Sequence, residues 1–216
     1  MKKLSAGLLF AAFMTGNMAA SLGGAQAVTV INGSFEHGPA VAGFTTLATG
    51  SNAITGWQVA SGSIDYIGNY WQAADGSRSI DLDGNAPGSI KQQLTGLVGG
   101  TQYRVAFNIA GNPDGGPAIK NLNLAVGIDN QSYSFDTTGD SRGAMGWLTA
   151  FFVFTAQGST ADLVFSSLSL GGPYGAALDN VSISETPLPA ALPLFATALS
   201  GLGFFSWWKK RRMATA

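Results

Sequence analysis

The 216-residue chain contains no cysteine and a single histidine, His37. The first absence removes disulfides, thiol nucleophiles and thiolate metal sites together. The second makes a polyhistidine zinc site impossible. Charge is scarce, at 11% of residues, and it is segregated. Lys2 and Lys3 stand at the start and Lys209, Lys210, Arg211 and Arg212 at the end. All 12 acids fall between Glu36 and Glu185, where only Arg78, Lys91, Arg104, Lys120 and Arg142 are basic, so that span carries −7. An acidic middle argues against nucleic acid or an anionic bilayer as its partner. Long helical periodicity is missing from it as well.

What is present at the two ends reads as targeting. Lys2 and Lys3 precede the apolar run Leu4 to Ala12, and Ala25-Gln26-Ala27 supplies a small-x-small cleavage site. Residues 1–27 therefore read as a secretory signal peptide, with the mature chain starting near Val28. Gly16, Asn17, Gly23 and Gly24 interrupt the apolar run before it reaches the ~20 residues a membrane helix needs. At the other end, Leu188 to Trp208 holds no charge, and the basic cluster 209–212 follows directly. From Ala190 to Trp208 a helix rising ~1.5 Å per residue would span about 28 Å, close to the hydrocarbon thickness. The basic cluster predicts a cytoplasmic C-terminus, with residues 28–186 outside.

Pro187-Leu188-Pro189-Ala190, an apolar helix and a terminal basic cluster together resemble the PEP-CTERM class of bacterial sorting domains, in its VPLPA variant. Thr186 stands where that variant usually has Val. The resemblance implies recognition and processing by a membrane exosortase. It implies a Gram-negative host that makes an exopolysaccharide or biofilm matrix, and a product at the cell envelope, cell surface or extracellular matrix. Residues 187–216 are assigned to this signal.

Residues 28–186 have the size of one domain with a sizeable core. Eleven short alternating or apolar runs are bounded by Gly, Asn, Asp and Pro: 28–31, 54–60, 63–67, 78–82, 89–94, 102–110, 122–128, 132–135, 148–155, 161–166 and 177–184. That spacing predicts an all-β sandwich or barrel. Tyr103, Val105, Phe107 and Ile109 alternate cleanly. Phe151-Phe152-Val153-Phe154 is apolar on both faces and predicts a central strand covered on both sides.

Asn32-Gly33-Ser34-Phe35-Glu36, Ile54-Thr55-Gly56-Trp57 and Ala177-Leu178-Asp179-Asn180-Val181-Ser182-Ile183 resemble motifs of carbohydrate-binding modules with the galactose-binding-like jelly roll. The run from Gly62 through Tyr70-Trp71-Gln72 to Gly84 more specifically resembles the choice-of-anchor C family, related to a cell-wall-associated domain of plants. The resemblance spans nearly all of 28–184. It implies an extracellular jelly-roll β-sandwich lying between the signal peptide and the C-terminal transmembrane helix. It also implies a structural calcium held by Glu36 and Asp179 with backbone carbonyls, hard oxygen donors suited to that cation.

Catalytic signals are weak. Gly139-Asp140-Ser141-Arg142-Gly143 matches G-x-S-x-G, but a hydrolase of that type needs a helix after the serine and a histidine later in the chain. His37 lies 104 residues upstream, in a Gly-Pro turn. Asp81 and Asp83 share one face of a strand. They read either as a polar strand face ending in a turn or as a glycosidase-like carboxylate pair. The aromatics carry more. Trp57 and Trp147 read as core residues, whereas Tyr70 and Trp71 fall in a Gly- and Asp-rich segment between strands. Sugar rings stack on such faces while Asp, Asn and Gln take the hydroxyls. The expected carbohydrate site is therefore a platform of Trp71 and Tyr70 with Asp65, Asn69 and Asp75 as polar partners. The leading functional expectation is a non-catalytic surface or matrix protein that binds polysaccharide or exopolysaccharide. A structural or adhesive protein contacting other proteins is the alternative, and a glycan-active enzyme a minor one.

Overall fold

A computed structural model describes residues 27–169 and 172–186. The signal peptide and the sorting segment fall outside the described residues, apart from Ala27. The described chain forms eleven strands: β1 (Phe44–Ala48), β2 (Gln58–Ser61), β3 (Ser63–Ile67), β4 (Ser79–Asp81), β5 (Ser89–Thr95), β6 (Gln102–Gly111), β7 (Ile119–Val126), β8 (Asp129–Asp136), β9 (Leu148–Thr155), β10 (Thr160–Ser167) and β11 (Ala176–Glu185). They make two antiparallel sheets, ordered β1-β3-β4-β11-β6-β9 and β2-β5-β10-β7-β8. The fold is an all-β sandwich. No described helix is long and apolar enough to cross a membrane.

The period of two places the core. Along β6, Tyr103, Val105, Phe107 and Ile109 are buried, while Arg104 is exposed and Ala106 and Asn108 are half-buried on the outer face. Phe107 meets Phe165 of the opposite sheet edge-on at 5.1 Å, and Phe165 in turn lies 6.4 Å from Trp57. Burying each such ring contributes about 1.5–3 kcal/mol. Trp57 is a core residue, as its sequence context implies, and its Nε1 donates to the Asn32 carbonyl oxygen.

Three strand expectations are corrected. Residues 28–31 form no strand; Gln92 of β5 bonds both backbone groups of Ile31, at 2.7 and 2.9 Å, so a side chain replaces a neighbouring strand. Within 54–60 only the end pairs, because Ile54 to Trp57 closes a turn first. The run 151–154 is not central. β9 is the edge of the six-stranded sheet, and Phe151 and Val153 stand about half exposed beside Arg104. β1, whose sequence Phe-Thr-Thr-Leu-Ala lacks sharp alternation, was not anticipated.

At β11 the ladder shifts register between Asp179 and Ser182, with Asn180 at φ 50°. Asn tolerates this left-handed conformation better than most residues. Asp179 keeps the regular register opposite Asn108, and the bulge after it frees the Val181 amide to donate to the Gly33 carbonyl oxygen at 2.9 Å. Gly33 is required there, because an added Cβ would sit 1.9 Å from the Val181 oxygen.

Candidate functional site

The segment 68–78 crosses the outer face of the six-stranded sheet between β3 and β4. Trp71 is buried in it, 5% exposed, with Nε1 donating to Ser79 Oγ at 2.7 Å. It is a structural anchor and not the exposed platform expected. Tyr70 is half-buried. Its ring stands edge-on to Phe44 at 5.0 Å, and its hydroxyl donates to Asp114 Oδ2 at 2.7 Å. Arg142 covers it, with the guanidinium carbon 4.0 Å from the ring centroid and an ion pair to Asp114 at 2.8 Å. Burial works to raise the Asp114 pKa, but the bonds from Arg142 and Tyr70 outweigh it and hold this carboxyl below the usual range. The bond to Asp114 pushes the Tyr70 hydroxyl up.

Between these loops and the sheet lies a cavity of about 280 Å³. Phe44, Tyr70, Trp71 and Tyr174 supply its aromatic surfaces, and Asp65, Asn85 and Asn112 its polar ones. Asp65 is nearly buried. Thr46 Oγ1 donates to its Oδ1 at 2.5 Å, yet burial wins and raises its pKa. Asn112 is committed twice, giving Nδ2 to Asp81 at 2.8 Å and taking the Asp114 amide on Oδ1. Asn85 is exposed at the cavity.

Asp81 and Asp83 are both fully buried, not a solvated polar face. Asp81 accepts from the amides of Asp83 and Gly175, each at 3.0 Å, and from Asn112. Burial pushes its pKa well above the usual range. Both Asp83 oxygens are buried without a hydrogen-bond partner. Burial raises this pKa too, opposed by the Lys120 ammonium nearby. Lys120 lies in phase with the buried Leu122, Leu124 and Val126 of β7, and is itself fully buried. Its stem passes Gly111, where a Cβ would lie 2.5 Å from Lys120 Cγ. Its Nζ then donates to the carbonyl oxygens of Gly115 and Tyr174, both at 2.7 Å. The cluster supports the cavity wall from beneath.

Of the expected sugar-site residues, the fold brings Asp65, Tyr70 and Trp71 together. It keeps Asn69 and Asp75 apart from the cavity. Asn69 accepts the Gly43 amide at 2.6 Å, and Asp75 accepts the Ser34 hydroxyl. Phe44, Asn112 and Tyr174 were missed; Tyr174 sits in a Gly-Pro-Tyr-Gly turn, where an aromatic among loop formers was the available signal.

Glu36 and Asp179 hold the two flanks of one loop. Glu36 accepts from the amides of Ser77 and Arg78 and the Ser77 hydroxyl, all at 2.8 Å. Asp179 accepts from the amides of Ala74, Asp75 and Asn180. Burial carries the Asp179 pKa up to about 7 against those three bonds. Calcium requires six to eight oxygens. Here backbone N–H groups of the 74–78 loop occupy both carboxylates, and the pair forms a hydrogen-bonded clamp on that loop. Among the described residues no three His, Cys, Asp or Glu side chains gather in a metal-binding group.

Among the described residues two wider, more open hollows also bear on the site. One of about 460 Å³ on the outer face of the five-stranded sheet is lined by Asn52, Gln58, Lys91, Gln93 and Asp162 around the buried Trp57, and offers no free aromatic face. The other, about 600 Å³, lies beside Trp147. Trp147 is half-buried at the margin of the core, against which it packs, with Nε1 donating to the Gln72 carbonyl oxygen at 2.9 Å. The G-x-S-x-G stretch is an exposed turn closed by a Ser141–Ala144 bridge.

Similarity to known proteins follows the sandwich. Halomucin of Haloquadratum walsbyi is 36% identical over 180 residues, a match that takes in 80% of this chain but 2% of that protein's length. Among solved structures, a family 16 carbohydrate-binding module is similar at 17% identity and a TM-score of 0.47, over 72% of this chain and 99% of that one. An arabinose-bound MgGH51 α-L-arabinofuranosidase is similar at 12% identity and a TM-score of 0.50, over 77% of this chain and 27% of that one. The latter likeness is one of fold. Residues 28–184, nearly all of the described sandwich, match the family described as "Protein of unknown function (DUF642)", and the chain belongs to that family.

Proposed function

We propose that this chain is an exported, non-catalytic polysaccharide-binding protein whose ligand enters the cavity over the outer face of the six-stranded sheet. The carrying observation is that cavity's lining: Phe44, Tyr70 and Tyr174 offer apolar surface while Asp65, Asn85 and Asn112 offer hydrogen-bonding groups. That mixture suits a sugar, whose C–H faces stack and whose hydroxyls bond. Hydrolysis by paired carboxylates is disfavoured by the same lining. Asp65 is the one acid there, and Asp81 and Asp83 are sealed beneath Gly175, whose added Cβ would meet them at 2.5–2.7 Å.

The test is retention of the full chain on a panel of immobilised polysaccharides, held in a detergent without a sugar headgroup. Retention lost on Tyr174→Ala, with the melting temperature kept, supports the reading; no retention of folded protein on any polymer sinks it. A protein contact is the second reading, favoured by exposed Phe151 and Val153 on the free edge strand β9.

Sorting and calcium are separate proposals. Export with cleavage near Val28, recognition of Pro187-Leu188-Pro189-Ala190 by an exosortase and membership of the choice-of-anchor C group rest on sequence resemblance. Mass spectrometry of the mature protein, with and without the exosortase, tests the first two. Calcium at Glu36 and Asp179 would have to displace the N–H groups that the 74–78 loop gives both carboxylates. Calorimetry with millimolar calcium decides it, since no heat and an unchanged melting temperature would exclude the ion.

A further inference from the structure

We propose that the hollow beside Trp147 is a second sugar contact, so that one neutral polysaccharide chain spans two adjacent depressions on the outer face of the six-stranded sheet. The inference rests on the polysaccharide reading above and extends it to a ligand class and length. Consecutive residues wall the two depressions: Tyr70 and Trp71 face the first, and Gln72, Ala73 and Ala74 the second. Arg142 braces the ridge between them. Its guanidinium donates to the Tyr70 hydroxyl, and its carbonyl oxygen accepts the Gln72 amide at 2.8 Å.

Trp147 is held as a stacking surface must be. The indole N–H is tied to the Gln72 carbonyl oxygen at 2.9 Å, so the ring orientation is set before any ligand arrives. Such preorganisation removes part of the ordering cost of binding. Gly146 precedes it at φ +64°, where an added Cβ would meet Asp140 Oδ1 at 2.7 Å, so the turn that presents the ring depends on glycine. Polar groups flank it. Asn108 stands on the outer face of β6, fixed by Asn180 at 2.9 Å and Thr149 at 3.1 Å, and the Gln72 side chain is exposed.

Charge defines the class. No lysine or arginine lines either depression; Arg142 on the ridge is committed to Asp114 and Tyr70, and Lys120, behind the Tyr174 turn, to two backbone carbonyls. A uronate would meet Asp65 with no lysine or arginine in the lining to offset it, whereas a neutral sugar needs none. A polymer that crosses the ridge joins two weak contacts into one event, and its affinity exceeds that of either contact alone.

The experiment is affinity gel electrophoresis of the full chain in a detergent without a sugar headgroup, through gels containing xylan, β-1,4-galactan, β-1,3-glucan, amylose or polygalacturonate. The expected result is retention by a neutral polymer, weakened tenfold or more by Trp147→Ala and also by Tyr174→Ala, with little competition from the corresponding monosaccharide. Trp147→Phe, which keeps an aromatic face, should retain most of the binding, and Gln72→Ala should lose part of it. These two decide the matter if circular dichroism shows that Trp147→Ala fails to fold. Trp147→Ala and Gln72→Ala binding like the parent while Tyr174→Ala is released would overturn the second contact and leave the cavity reading standing. Retention by polygalacturonate alone would overturn the neutral class. Retention by no polymer would remove the polysaccharide reading and this inference with it.

Discussion

Lys120 and Tyr174 are joined by a hydrogen bond from Nζ to a carbonyl oxygen at 2.7 Å, across 54 residues of chain. The buried ammonium thereby fixes the turn that carries the Tyr174 ring, which stands 36% exposed at the cavity. Lys120→Met keeps the stem's volume but leaves two carbonyls unpaired and Asp81 and Asp83 without a nearby cation. The expected loss is about 3 kcal/mol in urea unfolding, as for one partner removed from a buried charge cluster. Polysaccharide retention should fall further than that loss of fold accounts for.

The buried carboxyls give the fold an unusual pH slope. Burial raises the pKa values of Asp81, Asp83 and Asp65 above the ordinary aspartate value. As pH climbs from about 4, the unfolded chain releases these protons before the folded one does. Unfolding is then favoured, and stability falls until the folded-state pKa values are passed. The Lys120 pKa is lowered by burial, so this group acts in the opposite sense, with stability rising as pH climbs through its folded-state value toward the ordinary lysine value. The melting temperature should therefore be higher near pH 5 than near pH 8, and Asp81→Asn should flatten the difference. A melting temperature that rises across that window would refute the assignment.

Trp71 and Tyr174 separate stability from binding. Trp71→Ala removes a 5%-exposed indole and strands Ser79, and is expected to cost about 3–5 kcal/mol, read from thermal or urea melts. Trp71→Phe should cost less, about 1–2 kcal/mol, because it chiefly forfeits one buried hydrogen bond. Tyr174→Ala, at a half-open position, should leave the melt nearly unchanged while lowering retention.

Gly33 joins the start of the domain to β11. Its carbonyl accepts the Val181 amide, and a methyl group at its α-carbon would overlap the Val181 carbonyl oxygen at 1.9 Å. Because the obstruction is backbone, Gly33→Ala is expected to lose more than about 3 kcal/mol, within the range of severe packing defects. Gly143→Ala, with nothing within 4 Å of the added carbon, is the control and should melt like the parent.

Much of the sandwich was legible from alternation and turn residues, since β6, β7, β9, β10 and β11 carry regular runs between Gly, Asn and Asp. Position within a sheet was not. Phe151 to Phe154 reads as covered on both sides, yet pairing on the far side is a long-range fact, and among the described residues no strand pairs beyond β9. Burial of polar groups was equally hidden. Asp81 and Asp83 read as a solvent face because the loops that roof them lie about thirty and ninety residues away. Lys120 did carry a local signal, its phase with Leu122 and Leu124, which its charge obscured. The site was half legible: Asp65, Tyr70 and Trp71 are close in sequence, whereas Phe44, Asn112 and Tyr174 reach the cavity from three separate loops or strands.

The place of β11 bears on how the domain responds to force. It lies between β4 and β6 inside the six-stranded sheet, and the chain continues beyond it from Glu185. A pull transmitted along the chain from that side therefore loads the hydrogen bonds on both flanks of β11 in shear, all together. It cannot open them one at a time as it would on an edge strand. A domain tethered there is built to yield late under tension, with rupture reported by β11 leaving its two neighbours before either sheet edge frays.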